Sequence, residues 1–209
     1  MQAQQSKTIN YIPLGDSYTI GTGTTGDNSF PTLLTRHLNR DGMNVRLVAN
    51  PAVNGFTTLD LIANELPFFL KNDIDFTTLL IGVNDWVQGI DDKTFENNLA
   101  FILDKVQSHL SNKNNIVLIT IPDFAITPQG KKYVRGRNAE AGLTRFNDII
   151  KKEARKRTLL VADIFELSKT IGTDASLVSD DGLHPSAKGY ALWEEKIFPT
   201  VKETLKNSK

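Results

Sequence analysis

Thr77-Thr78-Leu79-Leu80-Ile81 and Ile116-Val117-Leu118-Ile119-Thr120-Ile121, with Leu99, Ile102, Leu103, Val106 and Leu110 between them, decide the fold. The two flanking runs are short and mostly apolar, as buried parallel strands are. The intervening apolar residues recur at three- and four-residue spacing and form one stripe of an amphipathic helix. Strand, helix, strand is the repeating unit of a parallel sheet. The same alternation extends outward, with strands expected at Ile9 to Leu14, Val45 to Ala49 and Leu159 to Val161. A last helix carries Tyr190, Trp193, Ile197 and Val201 on one stripe. The fold class is therefore α/β, and both stripes read as core.

At 209 residues the chain is long enough for one sizeable core. No repeat, low-complexity tract or Pro/Gly/Ser-rich linker divides it, so one domain is expected over 1–209, with residues 1–7 as a polar, disordered tail. Lys plus Arg and Asp plus Glu each number 24, so no global field draws the chain to nucleic acid or to an anionic membrane. There is no cysteine, which excludes disulfides, a thiol nucleophile and thiolate metal sites. No run is apolar and long enough for a signal or an integral membrane segment. A soluble protein is expected, either cytoplasmic or secreted or periplasmic after signal removal. A small-molecule partner suits this composition.

The first strand empties into Gly15-Asp16-Ser17-Tyr18-Thr19-Ile20-Gly21. Open α/β sheets bind ligands at such strand ends, and a serine leaving a strand through a tight turn suits a nucleophile. The alternative is a helix cap. A serine hydroxyl needs a base, and imidazole, with an ordinary pKa of about 6.5, is the usual one. Of three histidines, His37 and His109 lie within helical patterns. His184 stands in Asp181-Gly182-Leu183-His184-Pro185, a turn before the last helix, with Pro185 suited to that helix's first position. Asp181, three residues upstream, is close enough to orient the ring. Asp180 is its neighbour and rival; spacing favours Asp181. The other reading of this turn is a helix start capped by Asp181 or Ser186.

Acyl transfer also needs donors for an oxyanion. The second strand is followed by Asn50-Pro51-Ala52-Val53-Asn54-Gly55 and the third by Gly82-Val83-Asn84-Asp85. Gly55 permits close backbone approach, and Asn84 offers an amide; a turn glycine and an Asx-turn are the alternatives. What favours chemistry is convergence, since all these groups fall at strand carboxyl ends or in the final βα turn.

These residues resemble the SGNH, or GDSL-type, serine hydrolases, a family of esterases and lipases. The resemblance rests on Gly15-Asp16-Ser17, on Gly55, on Gly82-x-Asn84-Asp85 and on Asp181-x-x-His184-Pro185, four blocks in order. It implies a three-layer α/β/α sandwich with a flavodoxin-like central parallel sheet of about five strands. It implies that Ser17 attacks, His184 is the base and Asp181 orients it, with Ser17 N–H, Gly55 N–H and Asn84 as the oxyanion hole. No metal or cofactor is implied. The residue after Gly-Asp-Ser is usually aliphatic in the family; here it is Tyr18.

The expected reaction is hydrolysis of a carboxylic ester, with short acyl chains, through an acyl-enzyme on Ser17. Transfer to another alcohol would use the same residues. A flavodoxin-like protein holding a flavin phosphate in Thr19 to Gly26 and a silent ester- or carbohydrate-binding module are rivals of another class. Tyr18, Trp86 and Phe124 follow strand ends and are candidates to line the acyl pocket. Pro122 to Arg137 is the longest irregular stretch expected, and Lys151, Lys152, Arg155, Lys156 and Arg157 offset a helix C-terminus. Pro13 cannot donate a ladder bond and suits a strand end better than a central position.

Overall fold

The computed structural model describes residues 7–207; most of the expected N-terminal tail, residues 1–6, lies outside the described residues. The strands are β1 (Ile9–Tyr11), β2 (Leu14–Gly15), β3 (Val45–Leu47), β4 (Thr77–Leu80), β5 (Ile116–Ile119) and β6 (Leu160–Ala162). All pairings are parallel. β1 pairs with β3, while β2 pairs with β4, followed by β5 and β6. The first expected strand is thus broken at Ile12 and Pro13. Pro13 has no N–H to give, and the Thr77 hydroxyl donates to the Ile12 carbonyl at 2.6 Å across the gap. The break gives each half its own neighbour, with Tyr11 still bridged to Phe76. Across the sheet the order is β3, β1/β2, β4, β5, β6, a flavodoxin-like order whose switch point lies beside the first strand.

The helices are α1 (Ser17–Ile20), α2 (Phe30–Arg40), α3 (Thr58–Asp60), α4 (Leu66–Phe69), α5 (Val83–Gln88), α6 (Asp92–His109), α7 (Gly130–Tyr133), α8 (Ala139–Arg157), α9 (Phe165–Ser168) and α10 (Ala187–Lys206). α2 packs on α10, and this pair covers β3, β5 and β6; α6 packs on α8, α3 and α4. The result is a sheet with helices on both sides. Both sequence-derived stripes are buried, including Leu99, Ile102 and Leu103 of α6 and Tyr190, Trp193 and Ile197 of α10. Among the described residues, no helix is long and apolar enough to cross a membrane.

Several boundaries differ from expectation for local reasons. Leu159 donates to the Ala154 carbonyl at 3.0 Å, closing the end of α8, so β6 starts one residue later. Pro185 precedes the cap of α10 rather than opening it; Ser186 is the cap, accepting from Gly189 N–H. The stretch Pro122 to Arg137 is not irregular throughout, because it holds a 3₁₀ turn at Phe124–Ile126 and α7. The basic cluster does lie in the last turns of α8, and it also reaches α6, through Lys152 to Glu96 at 2.7 Å and Arg157 to Asp104 at 2.6 Å.

Phe95 of α6 and Phe146 of α8 stack with ring centroids 4.1 Å apart, both buried. Removing that ring leaves a cavity between α6 and α8. Phe95→Ala is expected to cost about 3–5 kcal/mol of unfolding free energy in urea titrations. A loss below about 1 kcal/mol would mean that the packing of α6 on α8 does not depend on this pair.

Candidate active site

Asp16, not Ser17, caps α1, accepting the Tyr18 N–H on Oδ1 at 3.0 Å. Ser17 is the first helical residue, and its hydroxyl is left to meet the last turn of the chain. Gly15 makes this possible by close approach. A Cβ there would lie 2.2 Å from Thr19 Oγ1 and 2.3 Å from the Leu80 carbonyl.

His184 Nε2 lies 2.9 Å from Ser17 Oγ, and its Nδ1 lies 2.6 Å from Asp181 Oδ2. The other Asp181 oxygen accepts the Ser179 hydroxyl and the N–H groups of Leu183 and His184, at 2.7, 2.8 and 2.9 Å. Asp181 is therefore the carboxylate that reaches the ring. Partial burial opposes its ionisation, but these hydrogen bonds outweigh it and hold the carboxyl down at about 2. The carboxylate favours the tautomer with its proton on Nδ1 and the Nε2 lone pair toward serine.

The Tyr18 ring lies 5.2 Å from the imidazole and 5.6 Å from Trp193, so it seats the histidine against the core. The small loop after the first strand is also packed on this turn. A Cβ at Gly23 would lie 2.5 Å from Ser179 Oγ and 3.0 Å from His184 Cβ, and Tyr190 donates to the Thr22 carbonyl at 2.9 Å. Thr19 to Gly26 thus supports the histidine turn, where the flavin reading required a phosphate cradle.

Gly55 has a left-handed φ of 82° and open space where a side chain would stand. Asn84 donates its amide to the Phe56 carbonyl at 2.9 Å and lies 3.5 Å from Asp16 Oδ2, so it is tied to the segment that carries Gly55. Its neighbour Asp85 is turned inward, accepting from the Thr58 N–H at 2.9 Å and from the Thr58 hydroxyl. That bracing role of Asp85 was missed in the sequence.

Ser17, Gly55, Asn84 and His184 line one cleft of about 290 Å³, together with Tyr18 and Phe124. Val83, Val87, Tyr133 and Leu183 complete its apolar wall. Of these, Val83 and Val87 share a helix face by their spacing, which the sequence could have shown; Tyr133 carried no such signal. Trp86, expected to line the acyl pocket, does not line this cleft. Its indole lies against Gly142 of α8 and under the Arg137 guanidinium, 4.0 Å from the ring centre, in a separate groove. Its spacing from Val83 would allow the cleft face; the room left by Gly142 and the cover of Arg137 take the ring to α8 instead.

A hydroxyl–imidazole–carboxylate chain at the switch point of a parallel α/β sheet defines the class, a serine-type hydrolase. The sequence matches the GDSL-like lipase/acylhydrolase family over residues 14–192, and the chain belongs to that family. It is 30% identical over 137 residues to a multidomain esterase of Ruminococcus flavefaciens, covering 62% of this chain and 16% of that protein. Esterase TesA of Pseudomonas aeruginosa is 23% identical over 203 residues, 97% of this chain and 92% of that one. The crystal structure of TesA superposes with a TM-score of 0.74 at 21% identity, covering 93% and 99% of the two chains. The chain spans 16% of the length of the longer relatives it matches.

Beneath the site lie buried carboxyls that no cation among the described residues pairs. Burial pushes Asp16 up to about 7, against its bond from Tyr18 N–H, and Asp85 adds to the rise. Burial likewise pushes Glu65 up to about 8. The native state then holds protons that the unfolded chain has released, so stability falls as pH rises from about 4 through 8. Asp181 acts in the opposite sense only at lower pH, its stabilisation being lost as pH falls from about 4 toward 2. The thermal midpoint is expected to be a few degrees higher at pH 5.5 than at pH 8.5. Scanning fluorimetry giving the reverse order would rule out protonated carboxyls beneath the site.

Proposed function

We propose that this chain, an ester hydrolase by family, cleaves carboxylic esters with short acyl groups in two steps through an acyl-enzyme on Ser17. The observation that carries the reading is the unbroken chain from Asp181 through His184 to Ser17, with links of 2.6 and 2.9 Å, opening into the cleft. Ser17 Oγ attacks the ester carbonyl carbon while its proton passes to His184 Nε2. The oxyanion forms against Ser17 N–H, Gly55 N–H and the Asn84 amide. The C–O bond to the alcohol breaks, and His184 returns the proton to the leaving oxygen. Water then attacks the acyl-enzyme, losing a proton to His184; the acid departs as Ser17 regains its hydrogen. Asp181 stays ionised throughout and steadies the imidazolium.

The case for short acyl groups is the cleft itself, at the small end of ligand sites. Phe124 and Tyr133 border the space where the acyl chain would extend, and Tyr18 closes it beneath the imidazole.

p-Nitrophenyl acetate, butyrate and a long-chain ester, assayed with the wild type and Ser17→Ala, test both parts. Ser17→Ala is expected to lower kcat by at least about a thousandfold with its circular dichroism unchanged. A variant turning over near the wild-type rate would overturn the assignment. Separately, kcat/KM for acetate and butyrate is expected to exceed that for the long-chain ester by at least about tenfold; the opposite ranking would overturn the short-chain reading alone.

A further inference from the structure

The helix that begins at Thr58 widens into a π turn over Leu61–Glu65 and resumes as α4 with Pro67 in its first turn. Such turns recur at functional sites. Here the wide turn ends on Glu65, which is 1% exposed. Glu65 Oε2 accepts the Gly15 N–H at 3.0 Å, two residues before Ser17. Its other oxygen, Oε1, has no partner among the described residues, and no lysine, arginine or histidine among them pairs with it. A buried carboxylate with one backbone donor would be badly undersolvated, whereas the neutral acid needs far less.

We propose that Glu65 is a positioning residue for the reaction at Ser17, acting as an uncharged acid whose carboxyl fixes the Gly15 N–H and with it the turn that presents the serine hydroxyl. The inference rests on the reading of Ser17 as nucleophile. Burial first, and then the charge of Asp16, favour the protonated form, with the Gly15 bond opposing them. Of the nearby carboxyls only Asp16 acts on it; the others are held by threonines. Asp16 follows β2; Asp85 of α5 is engaged by Thr58; Asp60 of α3 is engaged by Thr57, whose N–H it accepts at 2.9 Å. Ionisation of Glu65 adds a second negative charge beside Asp16, beneath the place where the oxyanion develops, and turnover falls.

The test compares wild type, Glu65→Gln and Glu65→Leu across pH 6 to 10, reading kcat on p-nitrophenyl acetate and the rate at which diethyl p-nitrophenyl phosphate labels Ser17. Wild type is expected to lose rate on an alkaline limb with a midpoint of about 8. Leucine is expected to lower both rates tenfold or more at pH 7, with KM changed less than threefold. Glutamine, neutral and still able to accept from Gly15, is expected to rescue the leucine loss and to abolish the alkaline limb. Asp16 is present in all three proteins and titrates lower, at about 7, so the comparison reads the limb near 8. Leucine labelling at the wild-type rate, or glutamine keeping the alkaline limb, would overturn the proposal. If leucine fails to fold, the glutamine profile decides alone. Normal labelling without ester turnover would count against ester hydrolysis and leave Glu65 to be judged on labelling.

Discussion

Parallel strands bring all their carboxyl ends to one edge of a sheet, and a sheet wound in two directions opens a crevice at that edge where the direction changes. In this protein the first strand lies at that change, so the turn after β2 faces the ends of β3 and β4 on either side. Ser17, Gly55 and Asn84 are brought together by that arrangement alone. The last turn of the chain closes the site from α10, which packs on α2 and against β5 and β6. A bond between residues 167 positions apart, Ser17 to His184, is the outcome.

Such a bond is useful only if both partners are held, and each is held differently. His184 is fixed by a carboxylate that four hydrogens reach, and by aromatic packing through Tyr18 and Trp193 into the core. The tyrosine after Gly-Asp-Ser, unusual beside the aliphatic residue expected there, belongs to that packing. Ser17 is fixed from below, where Gly15 fits between Thr19 and the Leu80 carbonyl and Glu65 takes its N–H. The two supports have opposite electrostatic character. Asp181 is stabilised as an anion, whereas burial of Asp16 and Glu65 favours their protonated forms. Below about pH 7 charge is thus kept on the side of the imidazole, where an imidazolium forms, and away from the side where an oxyanion forms.

Stability and chemistry pull against one another beneath the site. Three carboxyls, Asp16, Glu65 and Asp85, are buried there with no cation among the described residues to pair them, and apolar residues of similar size would pack at lower cost. Asp85 repays part of that cost by bracing Thr58, which also accepts Asn98 at 2.9 Å. The packing of α6 on α8 on one face of the sheet, and of α2 on α10 on the other, supplies the stability that tolerates the rest.

The sequence by itself determined the α/β class, both helical stripes and the groups that meet in the cleft, because each has a signal within a few residues: an apolar period, a turn glycine, a histidine three residues from an aspartate. It also marked Pro13 as better suited to a strand end than to a central position. The tertiary structure decided what depends on neighbours distant in the chain. Pro13 is tolerated because Thr77 covers the carbonyl beside it and the two half-strands pair with different partners. Trp86 faces α8 and not the cleft because Gly142, 56 positions away, leaves room for its ring. Tyr133 borders the cleft, and Glu65 reaches Gly15, only through the way α7 and the π turn pack. Local patterns record which face of an element is buried; which residues then touch is set by packing between elements, and no spacing along the chain contains it.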